Sequence, residues 1–203
     1  MNGVTATEAA DGMAALARLS LQEIEGEDWG DPEPDDTDLV KNCMLLRRKP
    51  LGEFDDADLC ELITQRISWP TLVPMALGGL AVDPWLDADL YIGALLVAVT
   101  RVGDKYWDEH QDQEAVLRRI VGQVIAPLDE DPGYMPWGDK DGYPGEALTG
   151  VMAVSGRYWR RHSDQFAVMR GAVARGQAAG FIDEDDWVFV DPVFALDRPG
   201  PLD

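Results

Sequence analysis

The chain has 203 residues, 46% of them hydrophobic and 27% charged, a balance that excludes a disordered polymer and allows one domain or two small ones. Seventeen Lys and Arg stand against 38 Asp and Glu, for a net charge of −21. Such a surface repels nucleic-acid phosphates and anionic membranes, so neither is expected as a partner; it suits a basic protein or plain solubility. Residues 1–107 hold 8 bases and 20 acids (net −12) and the rest 9 and 18 (net −9), so acidity is spread along the whole chain.

Cys43 and Cys60 form no CxxC and match no zinc-ligand spacing, so two reduced core thiols in a cytoplasmic protein are expected. No run reaches 18 uninterrupted apolar residues, and the first twenty residues lack a secretory pattern. Only four of the seventeen bases are Lys, and Ala, Gly and Asp are frequent, as in GC-rich bacterial coding.

In chain order, residues 6–18 read as an amphipathic helix weakened by Gly12, and 19–24 as a helical turn anchored by Leu19, Leu21 and Ile24. EGEDWGDPEPDD is a loop by its Gly and Pro, and between Glu23 and Asp38 there are nine acids and no base. A helix capped by Asp36 or Thr37 follows, with Leu39, Val40, Cys43, Leu46 and Arg47 at helical spacing and Pro50 ending it. The basic run Arg47, Arg48 and Lys49 reads as a dipole-complementing helix end with internal salt bridges, against the alternative of an anion site.

The next helix, about 55–67, has Asp55 as its cap and Leu59, Leu62, Ile63 and Ile67 as its apolar face. Pro70 suits the first turn of another helix, about 70–80, and Pro74 lies close enough to its start to be tolerated. Helix 88–101 is apolar on most faces and belongs at the centre of a bundle; Asp89 and Tyr91 read there as a cap and a core aromatic.

Beyond it, helix 113–126 is clear. Residues 127–146 hold so many Pro and Gly that only a loop is expected, with Tyr134, Trp137 and Tyr143 either packing it down or forming a recognition surface. A helix over 146–175 is expected to split near Gly156 or Gly171. WVFVDPVF is the best strand candidate, near 187–190, or else an apolar tail. The fold class is therefore mainly α, a helical bundle with long acidic loops and an additional helical C-terminal half. The expected division is 1–18 as an N-terminal helical extension, 19–107 as the bundle and 108–203 as the C-terminal extension with its loop 127–146.

Catalytic signals are few. His110 sits in a polar stretch and reads as a surface residue; His162 lies beside Arg160 and Arg161, which oppose its protonation, and Asp164 two positions on does not face it on a helix. The acidic loop at DKDGY fails the EF-hand count, and no phosphate-binding glycine loop or nucleophile elbow occurs. No catalytic residue, metal ligand or cofactor is assigned, and a binding protein rather than an enzyme is expected.

Over residues 20–107 several motifs recur together: IEGEDWG at 24–30, LRRKPL at 46–51, DLCELITQRIS at 58–68, LVPMAL at 72–77 and DLYIGALL at 89–96. In order and spacing this stretch resembles the immunity proteins of bacterial contact-dependent growth inhibition systems. Ser68 and Trp69 stand where that family usually has Gly-Leu, and Ile92 where Pro is usual. The resemblance implies a stoichiometric inhibitor that occludes a cognate toxin domain, a basic nuclease being the expected kind. An acidic inhibitor would then meet a basic cleft through complementary potential.

Trp29, ringed by Glu25, Glu27, Asp28 and Asp31, is the sharpest interface candidate, with Asp35, Asp36 and Trp137 beside it; the bland reading is that the ring folds back and pins the loop. Two alternatives remain. One is a hydrolase or metal-binding enzyme using the C-terminal half around His162, and the other an acidic regulator that mimics nucleic acid.

Overall fold

The computed structural model describes residue 12 and residues 14–86, 88, 93–130 and 154–178. Among these residues the regular structure is helical: α1 (Leu21–Glu25), α2 (Asp38–Leu46), a 3-10 turn (Leu51–Glu53), α3 (Asp56–Thr64), α4 (Trp69–Leu80), α5 (Ala94–Thr100), α6 (Asp104–Glu109), α7 (Gln111–Glu130), α8 (Gly156–Arg161) and α9 (Ser163–Ala178). The mainly α expectation holds.

Helix starts follow from capping chemistry. Ser20 begins α1 and Asp55 begins α3 with reciprocal boxes, in which Glu23 and Asp58 reach back to the cap backbone. Thr37, not Asp36, caps α2. The chain around Ser20 is tied to the 3-10 turn by backbone bonds, Leu51 N–H to Leu19 O (2.9 Å) and Gly52 N–H to Ala17 O (2.7 Å). Glycine suits the close approach at position 52, because an added Cβ would lie 3.0 Å from the Ala17 oxygen and push it back.

All seven residues of α5 are buried, as its apolar sequence requires. α3 and α4 pack on it, α7 packs on α4, and α9 lies along α7. One hydrophobic cluster runs through them from Leu21 to Ala172, taking in both thiols, Trp107 and the nearly inaccessible Trp159. Burial pushes the Cys43 thiol up to about 11 and raises Cys60 as well, so both are protonated core groups, as their sequence setting suggests. Thr100 joins the end of α5 to the start of α8: its hydroxyl donates to Val97 O (2.8 Å) and accepts from the Ser155 N–H (3.2 Å).

Several expectations are corrected. Leu39 and Val40 are exposed, because α2 turns only Cys43, Leu46 and Arg47 inward, and Leu19, ahead of α1, is exposed too. α3 stops at Thr64, and Arg66 and Ser68 take left-handed φ values of 63° and 52° to bend the chain into α4. Ile67, between them, still packs on the core. α5 begins at Ala94 behind Gly93, whose φ is 83°. α6 was not expected; its polar surface hides Tyr106 and Trp107, both buried. α7 runs from 111 to 130 through Pro127, four residues past the expected helix end at 126. Proline's fixed φ is helical, although here it lacks the N–H that would bond four residues back and its ring crowds that carbonyl. Of the helix expected over 146–175, residues 146–153 lie outside the described residues; a helix starts at Gly156 behind the non-helical Val154 and Ser155, a second break falls at His162, and Gly171 lies inside α9. Most of helix 6–18, Asp89, Tyr91, the loop 131–146 with Tyr134, Trp137 and Tyr143, and the strand near 187–190 lie outside the described residues.

Candidate functional site

The acidic loop leaves α1 at Gly26, whose φ of 69° closes the helix with a backbone bond to Gln22 O. It then runs exposed to α2. Its own carboxylates shape it: Asp28 accepts from the Gly30 N–H (2.9 Å) and Asp36 from the Glu33 N–H (2.8 Å). Lys41 Nζ donates to Pro34 O at 3.0 Å.

From below, the end of α2 holds the loop in place. Arg47 is 2% exposed. Its Nη1 donates to Glu25 Oε2 at 2.6 Å and its Nη2 to Glu27 O at 3.2 Å. The same guanidinium lies 4.1 Å from the centroid of the Trp29 ring. Ser68 completes the arrangement from the α3–α4 corner, donating to Glu25 Oε1 at 2.5 Å. Arg48 pairs with Asp31 at 2.8 Å, donates to Gly30 O and lies 3.8 Å from Asp28. Lys49 turns the other way, to Asp58 at 2.5 Å, which holds its ammonium above its ordinary pKa. The basic run is thus a helix end with internal ion pairs.

Trp29 is both supported and available: one face rests on Arg47 while the side chain stays 47% exposed. Of the acids around it, Glu25 and Asp31 are engaged by arginines, and Asp36 by the loop backbone. Glu27, Glu33 and Asp35 are exposed and make no ion pair among the described residues. Exposed Leu39, Val40 and Leu45 follow on α2. Apolar anchors set among unpaired acids are the composition of a protein interface with a charged rim. Leu39 and Val40 were read as core from their helical spacing; only the orientation of α2 shows them outside.

A second charged cluster joins α7 to α8 and α9. Arg161 grips Glu114 with Nε (2.6 Å) and Nη2 (3.0 Å) and reaches Asp108 at 2.9 Å. That contact holds Glu114 below the usual carboxylate range and Arg161 above its own. Arg118 donates to Asp164 at 3.2 Å and approaches His162 Nδ1 at 3.1 Å. A guanidinium can only donate, so this contact assigns Nδ1 as the acceptor and the proton of a neutral imidazole to Nε2, which is buried 3.3 Å from Glu114 without a hydrogen bond among the described residues. Burial lowers the His162 pKa, in keeping with that form. His162 is 7% exposed and its basic nitrogen is occupied, which leaves it poorly placed to take a proton from a substrate. Among the described residues no group of three or more His, Cys, Asp or Glu is arranged to hold a metal ion, and no helix is long and apolar enough to cross a membrane. His110, expected on the surface, is half-buried and stacks on Tyr106 at 4.1 Å between centroids. Sequence spacing could not reveal the α7–α8–α9 cluster, because its partners lie more than 40 positions apart.

No curated protein and no solved structure matches this chain. Residues 23–117, just under half of it, match the model of a family described as CDI immunity proteins. The match takes in the acidic loop, Trp29 and the arginines beneath it, and stops inside α7, before Arg118, α8 and α9. Over residues 23–117 the sequence is thus similar to a family described by its immunity function.

Proposed function

We propose that this protein acts inside a bacterial cell as the stoichiometric inhibitor of one toxin domain, a nuclease with a basic cleft, and that it binds through the acidic loop and the start of α2. The observation that carries the reading is Trp29, held half-exposed on the buried Arg47 among the unpaired Glu27, Glu33 and Asp35, inside the family-matched stretch. An aromatic side chain already fixed in place loses little entropy on binding, which is the property of an interface anchor. The surrounding carboxylates would raise the encounter rate with a basic cleft.

The experiment is co-expression with the product of each adjacent open reading frame, scored by growth and by co-purification. Rescue of growth and a one-to-one complex support the reading, with Trp29→Ala and Glu27→Lys weakening both. It is overturned if the wild-type chain neither rescues nor binds, or if the purified chain turns over a substrate unaided. Inhibition of nucleic-acid cleavage in the purified complex tests the nuclease assignment. Equal binding to many unrelated basic proteins would favour a nucleic-acid mimic instead.

A further inference from the structure

The acidic loop leaves unexplained where the positive charge gathers. A cleft of about 490 Å³ opens where the α3–α4 corner, the α5–α6 turn and the first turn of α8 meet, lined by the cations Arg66, Arg101, Lys105 and Arg157 and by one acid, Asp104. Four of the seventeen Lys and Arg of a strongly acidic chain thus face one space. Acids outnumber bases more than two to one, yet Arg66, Arg101 and Lys105 make no ion pair among the described residues. Arg157 is held only loosely, with Nε 3.9 Å from Asp104, beyond hydrogen-bond reach.

The surrounding structure is specific. Arg66 sits at the left-handed φ of 63° that ends α3, a position where glycine would be relaxed. Trp69 forms a wall of the cleft, fixed by its Nε1–H donating to Ile63 O at 2.9 Å and by edge-on packing with Tyr106. The volume lies within the roughly 300–1,000 Å³ of small-molecule sites.

We propose that this cleft binds a small phosphate-bearing molecule, whose oxygens are held by Arg66, Arg101, Lys105 and Arg157. Guanidinium forks match phosphate oxygens two at a time, and three unpaired cations exceed what a single carboxylate would neutralise. A nucleic-acid strand is not the ligand, because a net charge of −21 repels an extended polyanion while a small one is held within the local field. The site shares no residue with the acidic loop, and its test needs no toxin.

The test titrates the full chain with inorganic pyrophosphate at constant ionic strength, read by calorimetry and by thermal shift. Pyrophosphate should bind the wild type, and the double variant Arg101→Gln/Lys105→Ala should bind at least tenfold more weakly, the loss expected for charged hydrogen bonds. Arg66→Gln, tested alone, should weaken binding in the same direction. No binding at about 10 mM pyrophosphate overturns the proposal. So does unchanged affinity in the variants, or equally tight binding of citrate, which would mean charge without phosphate recognition.

Discussion

Two clusters among the described residues bring arginine to acid, to different ends. Under the acidic loop, Arg47 and Arg48 draw in Glu25, Asp31 and the loop backbone, and the result is an exposed Trp29 with free acids beside it. Between α7, α8 and α9, Arg161 and Arg118 bind Glu114, Asp108 and Asp164, and the result is a staple between helices. Each ion pair cancels one acid against one base and leaves the net charge of −21 intact. At the acidic loop, what a partner would meet is the acids that no arginine has claimed, Glu27, Glu33 and Asp35.

The largest effect should come from breaking the first arrangement at its buried centre. Arg47→Ala leaves Glu25 without its partner and Trp29 without its support, and should cost about 3 kcal/mol in urea unfolding. Arg47→Lys should recover little of this, since an ammonium cannot reach Glu25 and Glu27 O as a fork while lying under the ring. Trp29→Ala should separate binding from folding. Affinity for the cognate partner should fall by about 2 kcal/mol or more, measured by calorimetry, while the unfolding midpoint barely moves. If instead stability collapses and binding survives, the ring serves only to pin the loop.

The staple should break more gently. Arg161→Ala removes a bidentate, partly exposed pair and should cost about 1–2 kcal/mol. Its pH dependence sharpens the contrast. Burial depresses the pKa of His162 from 6.5, with Glu114 and Arg118 of α7, Arg161 of α8 and Asp164 of α9 around it. The unfolded chain therefore takes up a proton near pH 6.5 that the folded chain refuses. Stability is full above that value and declines as pH falls below it. Glu114, held low by Arg161, adds a second loss as pH falls below 4.5. In His162→Gln the first decline should vanish and the second remain, as urea midpoints across this range will show. The smallest change lies between the two regions: Arg66→Gly should raise stability by up to about 1 kcal/mol by relaxing a left-handed residue.

The helices were legible where local chemistry suffices. The caps at Thr37 and Asp55, the Pro-led α4 and the all-apolar α5 follow from neighbouring residues. α6 was not, because its two buried aromatics sit among charged residues and carry no periodic signal over six positions. The candidate site was half legible. Trp29 and its acids stand together in the sequence, but the arginines that seat the ring arrive from α2, about twenty positions away. Ser68 shows both sides of this. Its left-handed φ explains why glycine is usual there in the family the stretch resembles, yet its hydroxyl bonds to Glu25, 43 positions away.

The amino-acid order by itself determined the helical class, the caps, the acidic loop and the likeness over residues 23–117, because each depends on residues a few positions apart. Which carboxylates stay free, which side of α2 faces solvent, and where unpaired arginines converge were decided only by the tertiary structure. Charge acts between groups that meet in space, and those groups come from turns that chain order does not place side by side.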